Sequence, residues 1–163
     1  MKTYIKESFN NSHFTLSENW LKDIQELHEF DSRIIKVNTL KKDKNVLRMN
    51  MEYVDIRFTL FQYVTQPKSI DCAFLNYALA EYMDIYTSFF KFSRKYFKCE
   101  KVLYHHDYTI DNVVCTNDGK IKVIDLEDVR YIDENNCYRY YFGKYQEGLS
   151  LLSGAIFHAK NGR

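Results

Sequence analysis

Alternating and helical stretches follow one another along the chain. Residues 3–8 (TYIKES) predict a strand. Over residues 15–30, Leu16, Trp20, Ile24 and Leu27 fall on one face of a helix, and Thr15 with Glu18 fits a capping box at its start. Residues 33–40 and 45–54 predict two strands joined by the polar loop KKDK, with Leu47, Met49, Met51 and Tyr53 sharing one face of the second. Pro67 and Ser69 then open a long helix over residues 71–98. Its polar stripe, Glu81, Asp84, Ser88, Lys91, Lys95 and Lys98, steps by three and four and predicts a narrow solvated face on a largely buried helix. Acids early and bases late suit the helix dipole. The basic cluster near its end reads as a solvated face that an anionic substrate can also use. Residues 101–104 form a short apolar run, a further strand. Residues 112–116 and 121–125 are β-branched runs with a period of two. Between them lies Asn117-Asp118-Gly119-Lys120, where Asp-Gly can take the positive φ of a tight hairpin. Residues 149–157 predict one more short helix and residues 159–163 a frayed polar tail. The tyrosine-dense stretch 131–145 reads as packing or as a platform for a sugar or aromatic acceptor.

The chemistry gathers at the hairpin. His105, Asp107 and Asn112 form the pattern H-x-D-x-x-x-x-N, and the second hairpin strand ends in IDLED. Folding the hairpin brings Asn112, at the start of one strand, close to Asp125, at the end of the other. Asp107 sits five residues upstream, on the loop entering the same place. A carboxylate that orients a hydroxyl, an amide oxygen for a metal and a second carboxylate for that metal are what phosphoryl transfer needs. A bland alternative has Asp107 and Asn112 satisfying the backbone of turns. A third takes His105, His106 and Asp107 as metal ligands of a phosphohydrolase, which needs further ligands that His13, His28 and His158 do not offer in paired spacing. His105 reads as a brace for the loop rather than a proton carrier.

The segment 105–128 resembles the catalytic core of the protein-kinase-like superfamily. It is most similar to the small-molecule branch of aminoglycoside phosphotransferases, choline kinases and lipopolysaccharide sugar kinases, with H-G-D-x-x-x-x-N, a hairpin and then I-D-x-E. The glycine of that motif is His106 here. The resemblance implies Asp107 as catalytic base, Asn112 and Asp125 as Mg²⁺ ligands, and Glu127 as an acidic partner holding a second metal or touching the acceptor. Protein kinases commonly carry a basic residue two or four positions after the base. Thr109 and Asp111 stand there instead, which favours a small-molecule, sugar or surface-glycan acceptor. The implied fold is α+β, a two-lobed kinase-like domain over residues 1–163. Residues 1–54 form a reduced N-lobe and hinge, and residues 55–163 a mainly helical C-lobe with the catalytic hairpin. MEYVD resembles the hinge, so Met51 becomes the gatekeeper, and the Glu52 carbonyl and Val54 N–H the contacts to the adenine of ATP. Lys6 is the nearest match to the phosphate-binding lysine. Its helix partner is Glu18 or Glu26, with Glu18 preferred.

The departures carry equal weight. No glycine precedes Gly119, so the glycine-rich loop over the nucleotide phosphates is missing from these residues, and only 35 residues follow Asp128. A reduced pseudokinase that binds nucleotide or a partner without turnover is the rival reading. A homo-oligomer or a partner chain that completes the N-lobe is another possibility.

Composition bounds these readings. At 163 residues the chain fits one domain with a sizeable core. A net charge of +1 argues against non-specific nucleic-acid binding. Cys72, Cys99, Cys115 and Cys137 show no C-x-x-C spacing and read as reduced thiols of a cytoplasmic protein. No run is long and apolar enough to predict a signal peptide or a membrane span.

Overall fold

The computed structural model describes residues 2–9, 19–43, 46–66, 71–98, 100–133 and 142–161. In chain order they form β1 (Thr3–Phe9), α1 (Trp20–Phe30), β2 (Val37–Asp43), β3 (Val46–Glu52), β4 (Ile56–Thr59), α2 (Leu60–Thr65), α3 (Cys72–Phe97), β5 (Lys101–His105), β6 (Val113–Thr116), β7 (Ile121–Val123), a 3₁₀ turn (Leu126–Asp128), β8 (Val129–Asp133) and α4 (Phe142–Lys160). The strands make three small sheets, ordered β1-β3-β2, β4-β6-β7 and β5-β8. All of these strand pairs are antiparallel.

The amino-terminal sheet follows from alternation. Leu47, Met49 and Met51 on β3 are buried, while Tyr53, expected on the same face, lies past the strand end and is exposed. β1 runs along one edge of β3 with Lys6 opposite Met49 and Tyr4 opposite Met51. That register puts Lys6 and Tyr4 on one face, because side chains alternate along a strand. α1 packs Trp20, Ile24 and Leu27 into the core, and Trp20 donates its indole N–H to the Val129 carbonyl at 2.8 Å. The expected capping box of Thr15 and Glu18 lies outside the described residues, and the helix is described from Trp20 onward.

α3 matches its expected span almost residue for residue. Asp71 caps it by accepting from the Ala73 N–H, and Lys98 closes it in the left-handed region. Its first turn holds no acid, but Arg94 and Lys95 in the last turn do suit the dipole. Ser88 departs from the expected solvated stripe. It is buried, and its hydroxyl donates to Asp31 at 2.7 Å. Tyr77, Met83 and Tyr96 remain exposed, so the helix is less enclosed than its composition suggests.

β4, α2 and β8 follow from no alternation or helical spacing noted along the chain. β4 lies beside β6 and widens the hairpin sheet, and α2 follows at once, with Thr59 and Gln62 forming a capping box. At the carboxyl end, α4 is far longer than the expected 149–157. Tyr145 stacks on Tyr86 with centroids 3.9 Å apart and on Tyr82 at 5.6 Å. Gly148 lies where a Cβ would meet the Tyr82 hydroxyl at 2.2 Å, so only glycine allows this approach. Tyr145 is therefore packing. Tyr138, Tyr140 and Tyr141 lie outside the described residues. One apolar core runs from Met49 and Trp20 through Tyr82 and Val123 to Leu152. Among the described residues, no helix is long and apolar enough to cross a membrane.

Candidate functional site

The hairpin forms as its sequence requires. Val113 faces Val123 and Cys115 faces Ile121. Gly119 alone takes positive φ in the turn, at 82°. Asp118 instead accepts from the Thr116 hydroxyl and pairs with Lys120 at 2.7 Å. At the open end, the Ile124 N–H donates to the Asn112 carbonyl at 2.9 Å, which sets Asn112 beside the chain entering Asp125.

The loop before the hairpin is tied down from several sides. The Asn112 side-chain N–H₂ donates to the Asp107 carbonyl (2.9 Å) and carboxylate (3.1 Å), leaving the Asn112 amide oxygen available. The His106 N–H donates to the Asp128 carbonyl at 2.9 Å. His105 is buried. Its Nε2 lies 3.5 Å from the Ile124 carbonyl, and its Nδ1 has no hydrogen-bond partner. Burial, the largest influence on it, pushes the imidazole pKa down, which keeps the ring neutral. A neutral ring wedged under the loop is a brace. His106, by contrast, is exposed.

Asp125 takes φ 64° and ψ 57°, a left-handed conformation that costs an L-residue other than glycine about 1–2 kcal/mol and is least unfavourable for Asp and Asn. The 3₁₀ turn that follows is anchored by fully buried Leu126, which holds the chain in this pose. The bend turns the Asp125 carboxylate toward Lys6 of β1, and the two form an ion pair. Lys6 also lies 3.2 Å from Glu127 Oε1, while Glu127 Oε2 is buried without a hydrogen-bond partner. Burial pulls the Lys6 ammonium pKa down, but the hydrogen bonds and charges of Asp125 and Glu127 outweigh it, and the pKa ends above the ordinary lysine value.

Lys6, Asp125 and Glu127 thus form one cluster and Asp107 with Asn112 another, joined through the backbone at Asn112 and Ile124. Glu18 lies outside the described residues. Glu26, the other candidate partner of Lys6, pairs instead with Lys22 at 3.7 Å. The buried acid of α1 is Asp23, which accepts from the Tyr131 hydroxyl and lies 3.5 Å from Lys101. Among the described residues, the carboxylates that meet Lys6 are Asp125 and Glu127, from the turn after β7, and Glu26 is not one of them.

At the expected hinge, Met51 is buried, and the Glu52 N–H donates to the Lys36 carbonyl at 2.9 Å. The Glu52 side chain pairs with Lys122 of β7. A cleft of about 520 Å³ opens beside residues 52–55 and the hairpin residues Thr116–Asp118 and Lys122. Lys122 escaped the sequence reading, and its one signal was a lone charge inside an apolar strand.

Among the described residues, no set of three or more His, Cys, Asp or Glu side chains is placed to hold a metal by itself. Mg²⁺ seldom uses such a cage; it takes one or two carboxylates, waters and substrate phosphate oxygens. The hard oxygens of Asp125, Glu127 and Asn112, with Glu127 Oε2 unpartnered and buried, fit that requirement.

Among solved structures, the chain is similar to the kinase PK-1 of Cydia pomonella granulovirus, with a TM-score of 0.56 and 17% identity over 80% of this chain and 46% of that one. The fold is therefore kinase-like, and at this identity the likeness is one of fold alone. This chain spans about half the length of that kinase. No family model matches the sequence, and no curated protein matches it.

Proposed function

We propose that the chain is an ATP- and Mg²⁺-dependent phosphotransferase acting on a hydroxyl of a small molecule, sugar or surface glycan. The observation that carries this reading is the meeting of Lys6 with Asp125 and Glu127 beside the Asp107–Asn112 pair. In a kinase-like fold, that is one lysine for phosphates, oxygens for a cation and a carboxylate for the acceptor. Asp107, steadied by Asn112, orients the acceptor hydroxyl and takes its proton as the oxygen attacks the γ-phosphorus and the bond to the β,γ-bridging oxygen breaks, releasing ADP. The Asn112 amide oxygen and the Asp125 carboxylate would hold Mg²⁺, with Glu127 as a further oxygen donor. Such an ion would supply positive charge to offset the charge developing on the transferred phosphoryl group. Lys6 would bind the α- and β-phosphates. The Glu52 carbonyl and Val54 N–H would meet the adenine edge, with residues 1–54 as the small lobe and 55–163 as the large one. Thr109 and Asp111, in place of basic residues after Asp107, support a small acceptor.

The absence of any glycine before Gly119 favours a second reading, a nucleotide- or partner-binding module without turnover. Acceptor-stimulated ADP release across a panel of sugars and small alcohols separates the two. For the enzyme, Asp107→Ala and Asp125→Ala should each lower kcat by about 10²–10⁴-fold, the scale for losing a proton acceptor or an electrostatic group. Turnover within about threefold of wild type in either variant rejects the assigned roles.

A further inference from the structure

Resting on the phosphotransferase reading, we infer that Lys6 is the resident counter-ion of the Asp125–Glu127 pair and has to leave it when a divalent cation enters. Lys6 touches the oxygens that such an ion would need: it pairs with Asp125 and lies 3.2 Å from Glu127 Oε1. Mg²⁺ sits about 2.0–2.1 Å from its oxygens, so an ammonium and a metal cannot share the same lone pairs. Like charges at such separations also repel strongly in a partly buried site.

Among the described residues, no other carboxylate pairs with the lysine. Glu26 is committed to Lys22, and Asp23 to Tyr131 and Lys101. The ammonium is a compact charge on a flexible four-carbon stem, able to pivot without moving β1. Glu127 Oε2 still lacks a hydrogen-bond partner, so one positive charge leaves the two carboxylates incompletely satisfied. Without nucleotide, metal and lysine therefore compete. With nucleotide, the polyphosphate receives the displaced ammonium, and metal and nucleotide each favour the other.

Replacing this lysine should then have opposite effects on the two ligands. Mn²⁺ alone, titrated without nucleotide and followed by the electron paramagnetic resonance signal of the free ion, should bind Lys6→Met about three- to tenfold tighter than wild type, the scale of removing one partly exposed charge contact. Lys6→Arg keeps the charge and should bind Mn²⁺ as wild type does. Lys6→Gln carries the same expectation as the methionine variant if the latter does not fold. ATP with Mg²⁺ should bind Lys6→Met more weakly. Equal or weaker Mn²⁺ binding by the folded neutral variants overturns the inference. Failure of wild type to bind ATP with Mg²⁺ instead strikes the functional reading, and the Mn²⁺ comparison is still readable.

Discussion

Arg33 and Lys6 are both single cations facing several carboxylates, one in the loop between α1 and β2 and the other on β1. Arg33 spreads its guanidinium over Asp31 (2.7 Å), Glu81 (2.9 Å) and Asp84 (2.7 Å), tying that loop to α3. Asp31 is buried and accepts from Ser88 as well, and Lys91 takes the other Asp84 oxygen at 2.9 Å. A planar fork with several fixed partners is hard to displace. Lys6 presents a point charge to two carboxylates, one of which keeps an unpartnered oxygen. Saturation marks the first cluster as a clamp. Incomplete satisfaction marks the second as a place that can exchange its cation.

The sharpest break between the two lies in stability. Arg33→Ala should cost about 2–4 kcal/mol in urea or thermal unfolding, because it strands the buried Asp31 charge. Lys6→Met should cost under about 1 kcal/mol, since its partners keep contact with water. Glu7→Ala, which removes the exposed pair with Arg48, should change stability by less than about 0.5 kcal/mol. A larger loss from Lys6→Met than from Arg33→Ala would reverse the distinction.

A smaller effect is the acid response of the clamp. Burial pushes the Asp31 pKa up, but hydrogen bonds from Arg33 and Ser88 outweigh it and leave it below the usual carboxylate value. A depressed folded pKa contributes stability that is fully present above the unfolded pKa, about 3.9, and is lost as pH falls through the lower folded value. Wild type should therefore lose this contribution only below about pH 4. In Arg33→Ala, burial loses its main opponent and the Asp31 pKa rises. The penalty of the variant should then shrink as pH falls through the raised Asp31 value, in chemical unfolding at each pH. A penalty independent of pH would show that Asp31 is not the stranded group.

What the residues disclosed in advance follows the range of the interactions. The hairpin and α3 were legible because Gly119, the alternation of 112–116 and 121–125, and the spacing along 71–98 are local signals. β3 was legible for the same reason. β4 and β8 were not, because their strand character comes from partners far away in the chain, β6 and β5. The Thr59–Gln62 capping box was the one available hint of α2. α4 was underestimated because Gly143, Gly148 and Gly154 lower helix propensity, while stacking of Tyr145 on α3 overrides it. The carboxylate partners of Lys6 depend on the left-handed bend at Asp125, which no spacing rule reveals. The Arg33 clamp joins residues about fifty positions apart and left no pattern to find.

The proposed role of Asp125 rests on metal-dependent nucleotide binding, best measured by calorimetric titration of ATP with and without Mg²⁺ into wild type and Asp125→Asn. Asparagine tolerates the same left-handed backbone, so the variant removes charge with little change of shape. Wild type should bind ATP only when Mg²⁺ is present, and Asp125→Asn should lose that dependence together with most of the affinity. Equal binding by both proteins, with or without the metal, would contradict a phosphotransfer site built on Asp125.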